Sequence, residues 1–112
     1  MLREVLKSEI RRATITEVSA EGREGIEIPS DLVDAVGLCD GEKVMVASMT
    51  SGTRLETYVQ AGDTKSGRII LKGTAAHLLR RGDRVTIMAF GFSHEPVLPQ
   101  KIMLNERNEV QR

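Results

Sequence analysis

Two segments of this chain are built to one plan. Leu32 to Val46 reads as a short helix, then Gly37, then the polar turn Asp40-Gly41-Glu42, then a Val-rich strand. Ala75 to Ile87 reads as a short helix, then Gly82-Asp83, then a second Val-rich strand. A glycine just past a helix end takes the left-handed conformation that stops it. The strand that follows must find its partners elsewhere in the chain. Two such units in 112 residues leave room for one domain, and that domain has internal pseudo-symmetry.

The remaining residues add strands. Ala13-Thr14-Ile15-Thr16-Glu17-Val18 carries β-branched residues and predicts a strand. Gly22 and Gly25 punctuate a turn, so Glu21 to Pro29 reads as hairpin-like, with Ile26-Glu27-Ile28 as a short strand after the turn. Ser30 to Gly37 reads as a helix with Ser30 as N-cap, Asp31 at its positive end and Gly37 at C′. Lys43–Met49 and Arg54–Val59 predict a strand pair around Ser51-Gly52, followed by a polar loop from Gly62 to Gly67 and a strand at Arg68–Lys72. Thr74 caps a second short helix, and Arg84–Phe90 is the last clear core strand. Beyond Ser93 the two prolines Pro96 and Pro99 break regular structure, and Glu106 to Arg112 reads as a frayed tail. Many short strands with two or three short helices predict a mainly β, closed barrel. It forms one domain over 1–112, with 93–112 as an extended C-terminal tail.

Composition removes several function classes. Lys+Arg and Asp+Glu are equal at 16 each, so nothing in the charge balance argues for a polyanionic partner. Aromatics are 3% and tryptophan is absent, which weakens any case for stacking on bases or sugars. Cys39 is the only cysteine, so no intrachain disulfide is possible and a reducing cytoplasm is the expected compartment. No apolar h-region follows Met1-Leu2-Arg3-Glu4, and no run approaches the ~18–20 apolar residues that span a bilayer. His94, Cys39 and the acids show no metal-ligand spacing, so no metal is expected. Gly62-x-x-x-x-Gly67 begins like a phosphate-binding loop, but Arg68-Ile69 stands where Lys-Ser/Thr is needed. Helix termination explains Arg81-Gly82-Asp83.

Three dense stretches narrow the reading. They are Asp31-x-x-Asp34-Ala35-x-Gly37, Thr50-x-Gly52-x-Arg54-x-x-Thr57-Tyr58, and Gly67-Arg68-Ile69-Ile70-x-x-Gly73-x-Ala75-Ala76-His77 ending in Gly82-Asp83. With them the chain resembles the pyruvoyl-dependent aspartate 1-decarboxylases almost end to end. The resemblance implies a double-psi β-barrel, a homotetramer with active sites at subunit interfaces, and a lyase that acts on a small amino acid. In that family a serine hydroxyl attacks the preceding glycine carbonyl, and elimination and hydrolysis leave a pyruvoyl group that serves as electron sink. Here Glu21-Gly22-Arg23-Glu24-Gly25-Ile26-Glu27-Ile28-Pro29 contains no hydroxyl or thiol. Aligned without gaps, the family's Gly-Ser pair falls on Glu24-Gly25; aligned on the shared Glu-Gly, it falls on Gly22-Arg23. Neither offers Ser, Thr or Cys, and the nearest hydroxyls, Ser19 and Ser30, lie outside the turn. Glu24 and Gly25 therefore mark an altered processing site, and no pyruvoyl cofactor is expected.

The same resemblance assigns roles. Arg54 matches the residue that binds substrate carboxylate, a task suited to a planar bidentate fork. Thr57 matches the residue that positions the processing carbonyl, and Tyr58 the catalytic proton donor. Gly73, Thr74 and Ala75 match the substrate-binding pocket wall. The family's N-terminal lysine falls at Glu9, its tryptophan at Ala47 and its pocket asparagine at Lys72; glutamate in place of lysine would repel a dicarboxylic substrate. Plainer readings stand beside these. Arg54 can pair with Glu56 or Glu9, and Lys72 can be solvated rather than a Schiff-base lysine. Glu24 and Glu27 can be solvated rather than acid–base groups, and His77 can be structural. A second, shorter resemblance runs from Ile26-Glu27-Ile28-Pro29 to Lys43-Val44 and is to the swapped-hairpin DNA-binding domains of the AbrB type. Only Arg23 is basic among Glu21, Glu24 and Glu27, the wrong sign for phosphates. The expectation is a decarboxylase-like protein acting on a small amino or carboxylic acid without self-cleavage. Its alternatives are a genuine aspartate 1-decarboxylase making β-alanine for pantothenate synthesis, and a non-catalytic binding or regulatory module. The expected partners are further copies of the chain and a small-molecule acid, with no membrane or nucleic acid.

Overall fold

The computed structural model describes residues 1–111. It contains strands β1 (Arg3–Thr14), β2 (Glu17–Ser19) and β3 (Gly25–Pro29), helix α1 (Ser30–Ala35), then β4 (Lys43–Ser48), β5 (Arg54–Gly62) and β6 (Ile70–Lys72). A 3-10 turn at Thr74–His77, β7 (Arg84–Ser93) and β8 (Gln100–Met103) complete it. The strands form one sheet in the order β2-β6-β3-β5-β4-β7-β1-β8.

Spatial neighbours are not sequence neighbours. β6 lies between β2 and β3, parallel to the first and antiparallel to the second. A strand inserted between two consecutive ones and bonded to both is a ψ arrangement. β4 and β7, which end the two repeated units, pair antiparallel with Val46 opposite Ile87, so the repeat meets itself in mid-sheet. Period-two alternation turns one face of each strand inward. Ile10, Ile26, Ile28, Val44, Val46, Leu71, Ile87 and Leu104 are almost wholly buried in one core.

α1 ends as its sequence predicts. Gly37 takes φ +70°, the Leu38 N–H donates to the Val33 carbonyl at 2.9 Å, and the Gly37 N–H donates to Asp34 at 3.1 Å. This pair of bonds satisfies carbonyls the helix leaves open. Its start differs from the expectation, because Pro29 is the N-cap and Ser30 the first helical residue. The Ser30 hydroxyl bonds Thr64 instead of the helix.

Three other expectations need correction. The strand predicted over Ala13–Val18 is two, since β1 ends at Thr14 and the chain turns before β2. The second predicted helix is a single 3-10 turn whose N-cap is Gly73, not Thr74. The tail is tied down rather than frayed. β8 runs parallel to β1, Leu104 bridges Val110, and the buried Asn108 amide locks Gly67 and Thr14 together. It accepts from the Thr14 N–H at 2.8 Å and donates to the Thr14 and Gly67 carbonyls at 3.0 and 2.9 Å. Arg112 lies outside the described residues. Among those described, no helix is long and apolar enough to cross a membrane.

Candidate functional site

The segment that reads as a hairpin is an arch. β2 and β3 do not pair, because β6 separates them, and Ala20–Glu24 carry the chain across the end of β6. That route brings Glu24, the last residue of the arch, to the point where the chain leaves β6. Its Oε1 accepts from the Thr74 N–H at 2.7 Å and from the Thr74 hydroxyl at 2.8 Å. Gly73 lies directly beneath, at φ +85° and ψ −155°, a region open essentially to glycine alone. A Cβ there would fall 2.5–2.6 Å from the Glu24 carboxyl atoms. The Thr74 backbone donor first, then its hydroxyl, hold the Glu24 carboxyl below its ordinary value of 4.5, against an opposing desolvation. Glu24 is thus a carboxylate at neutral pH.

Gln60 of β5 closes the other side. Its Nε2 lies 3.4 and 3.3 Å from the Arg23 and Glu24 carbonyls, to which it donates. Its Cδ and Cγ would stand 2.7 and 2.9 Å from a Cβ at Gly25. Position 25 has no room for a side chain while Gln60 keeps this place. No hydroxyl or thiol stands at Glu24-Gly25, the position at which the family's Gly-Ser pair falls without gaps.

Strand alternation sorts the other candidates. Arg54 and Tyr58 face outward on β5, and Tyr58 is 50% exposed. Thr57 turns inward with Leu55 and Val59; it is 2% exposed and its hydroxyl has no hydrogen-bond partner among the described residues. The structure therefore brings Arg54 and Tyr58 to one face and puts Thr57 on the other. Among the described residues Arg54 makes no ion pair or side-chain hydrogen bond. Glu56 bonds Lys43 at 3.1 Å instead, and Glu9 lies 4.0 Å from Arg11. That bond and the Glu56 charge raise the Lys43 pKa. Lys72 is paired with Glu27 at 2.8 Å and is not a free amine, while His77 ends the 3-10 turn, exposed. No cluster of three or more metal-ligating side chains occurs among the described residues.

The strand register ties arch and face together. Ile26 lies opposite Val59 in the parallel β3–β5 pair, and the preceding Gly25 and Glu24 meet the Gln60 side chain. Gly73, Thr74 and Glu24 meet as one unit. Sequence reasoning missed Gln60, since nothing local marks a glutamine that acts across 36 residues. A cleft of about 470 Å³ between Leu32, Lys65 and Arg107 lies apart from all of these residues.

Fold and site together define a class, a double-psi β-barrel carrying an exposed arginine–tyrosine face beside a bridged arch. The rationally designed mkDPBB_sym_86 protein shares the fold, with a TM-score of 0.51 at 15% identity over 69% of this chain and 90% of its own. The particular family follows from the sequence. The profile of the family described as aspartate decarboxylase matches residues 1–111, and the chain belongs to that family. The aspartate 1-decarboxylase of Thermotoga petrophila is 46% identical over 98% of this chain and 96% of its own. That of Caldicellulosiruptor saccharolyticus is 40% identical over 98% and 89%. That of Corynebacterium efficiens is 49% identical over 80% of this chain and 66% of its own length.

Proposed function

We propose that this protein is a divergent lyase-type enzyme of the aspartate decarboxylase family. It acts on a small amino or carboxylic acid through Arg54 and Tyr58, without cutting its own chain. The observation that supports this most is Arg54, a guanidinium with no acidic partner among the described residues, on the same strand face as Tyr58. An unpaired arginine offers a bidentate fork to a carboxylate, and a tyrosine hydroxyl can hand over a proton. Four residues of strand set the two about 13 Å apart, a gap their long side chains can close around a small acid. In this reading the protein works in the cytoplasm as a homo-oligomer, a tetramer by family resemblance. Calorimetric titration with succinate and aspartate gives saturable binding that Arg54→Ala abolishes; no binding of either acid overturns the reading.

A second reading is aspartate 1-decarboxylase itself. The comparisons favour it, because relatives that match nearly the whole chain carry that name. The Glu24-Gly25 pair opposes it, because the family's route to a pyruvoyl group begins with a hydroxyl. Intact-mass spectrometry separates the two. A single uncut chain with no β-alanine formed from aspartate removes the second reading, and two fragments with an N-terminal carbonyl remove the first.

A further inference from the structure

Three arginines line one cleft that the Arg54–Tyr58 reading does not use. Arg12, Arg84 and Arg107 share its wall with a single acid, Glu106, around a space of about 510 Å³, a size that suits a small molecule. A cleft walled mostly by one sign of charge concentrates the opposite sign. Each arginine is brought there by a different device. Between Ile10 and Ala13 β1 carries one residue more than β7, so the ladder bulges at Arg11-Arg12, and a bulge re-aims the side chains it carries. Arg12 takes φ +60° there, a conformation that glycine adopts freely and other residues seldom do. The position keeps an arginine against the preference of its backbone. Arg84 begins β7; its Nη2 donates to the Arg12 carbonyl at 3.1 Å, and its Nε is buried with no hydrogen-bond partner among the described residues. A buried donor without a partner calls for an acceptor. Arg107 comes from the turn after β8, which the Asn105 side chain builds by accepting from the Arg107 and Glu109 N–H groups at 2.9 and 3.0 Å. Its one ion pair is to Glu109 at 3.6 Å, with both side chains exposed, and such pairs hold weakly. Arg12 and Arg84 make no ion pair among the described residues.

We propose that this cleft is a second binding site, separate from the Arg54–Tyr58 face, and that it takes a small phosphate-bearing anion held by Arg12, Arg84 and Arg107. A phosphate group carries more than one charge at neutral pH. Its tetrahedral oxygens can accept from guanidinium groups that arrive from three elements. A lone carboxylate is planar and singly charged, and one guanidinium fork satisfies it. No aromatic side chain lines the cleft, and three cations make a short track, so a nucleic-acid strand fits it poorly. Binding here makes and breaks no covalent bond.

Calorimetry with sodium pyrophosphate on the full chain tests the site. The parent protein binds it saturably, and added salt weakens the binding. Arg12→Gly keeps the bulge, removes one guanidinium and weakens binding at least fivefold in a protein that still melts cooperatively. Arg84→Ala weakens it at least as much; should that variant not fold, Arg107→Ala joins Arg12→Gly in carrying the test. Arg54→Ala leaves affinity within twofold of the parent. No saturable binding by the parent overturns the proposal, and so does a loss smaller than fivefold in Arg12→Gly. A greater loss in Arg54→Ala than in Arg12→Gly puts the anion on the other face and overturns it too. Citrate, a polycarboxylate, binds more weakly than pyrophosphate; citrate binding as tightly overturns the assignment to phosphate.

Discussion

The two helix–glycine–strand units share a plan and differ in what holds their helical ends. In the first, α1 is closed by its own backbone, with Gly37 and Leu38 donating back to Asp34 and Val33, and the Lys7 ammonium adds a bond to the Gly37 carbonyl at 2.8 Å. In the second, the helix has shrunk to one 3-10 turn, and its first residue is bonded by a carboxylate 50 residues away. A unit that caps itself is scaffold. A unit that borrows its cap from an exposed arch depends on a contact 50 residues away. The family resemblance points to the same end of the molecule through Gly73, Thr74 and Ala75.

The largest effect is one that both units must share. Ile87 lies opposite Val46 on one side and Ile10 on the other, and is 1% exposed. Ile87→Ala costs about 2–5 kcal/mol, the range for emptying a packed core site, as measured by urea unfolding with an unchanged slope. A loss below about 1 kcal/mol would show that the two units do not rest on one core. Next come the two glycines that mark the units. Gly73→Ala costs about 1–3 kcal/mol, because its φ/ψ excludes side chains and a Cβ meets the Glu24 carboxyl. Gly37→Ala costs about 1 kcal/mol, because αL is tolerable and the crowding atom is the far end of the flexible Gln100 side chain. Thermal melts rank the two. In a Glu24→Ala background the Gly73→Ala cost falls and the Gly37→Ala cost does not, a coupling that a double-mutant cycle reads.

What the sequence disclosed follows how local each signal was. β4, β5 and β7 were legible because each is a run rich in β-branched and apolar residues and a turn separates the first two. Most of β1 was not read, since Arg3 to Arg12 mixes charges with apolar residues and two register shifts, between Leu6 and Ser8 and between Ile10 and Ala13, break the alternation. Gly37 was legible as a helix stop because its function is set by the residues beside it. The arch read as a hairpin because β6, which forces β2 and β3 apart, comes some forty residues later. Arg54 and Tyr58 share a face, as strand periodicity implies, and the same periodicity turns Thr57 inward. The Glu24–Thr74 and Gln60–Glu24 contacts span 50 and 36 residues, and no pattern in either segment announces them.

A smaller effect bears on the arch itself. Gly25→Ser restores a hydroxyl at the altered processing position, and its Cβ displaces Gln60. It costs about 1 kcal/mol and leaves a single uncut mass, because the Glu24 carboxylate remains bonded to Thr74. Adding Gln60→Ala recovers the stability and not the cleavage. Two fragments from Gly25→Ser alone would show that the missing hydroxyl was the whole difference, and the contrast between a self-capped and an arch-capped unit would lose its chemical meaning.

The smallest effect is the titration of Glu24, whose carboxylate bonds Thr74. Glu24 has a folded-state pKa below its ordinary 4.5, so the folded chain binds its proton less readily than the unfolded chain. Its contribution is therefore complete above about pH 4.5 and is lost as pH falls through the lowered folded value. The carboxylate is exposed, so salt screens it and the effect on global stability is slight. The local effect is readable where global stability is not. In ¹⁵N spectra taken from about pH 6 down to pH 3, the Thr74 amide shifts as its acceptor protonates. Leu38, bonded to the Val33 backbone carbonyl, moves far less, and Glu24→Gln flattens the Thr74 curve. Should Thr74 and Leu38 move in step, the change is acid unfolding of the whole barrel, and the two units are held in the same way after all.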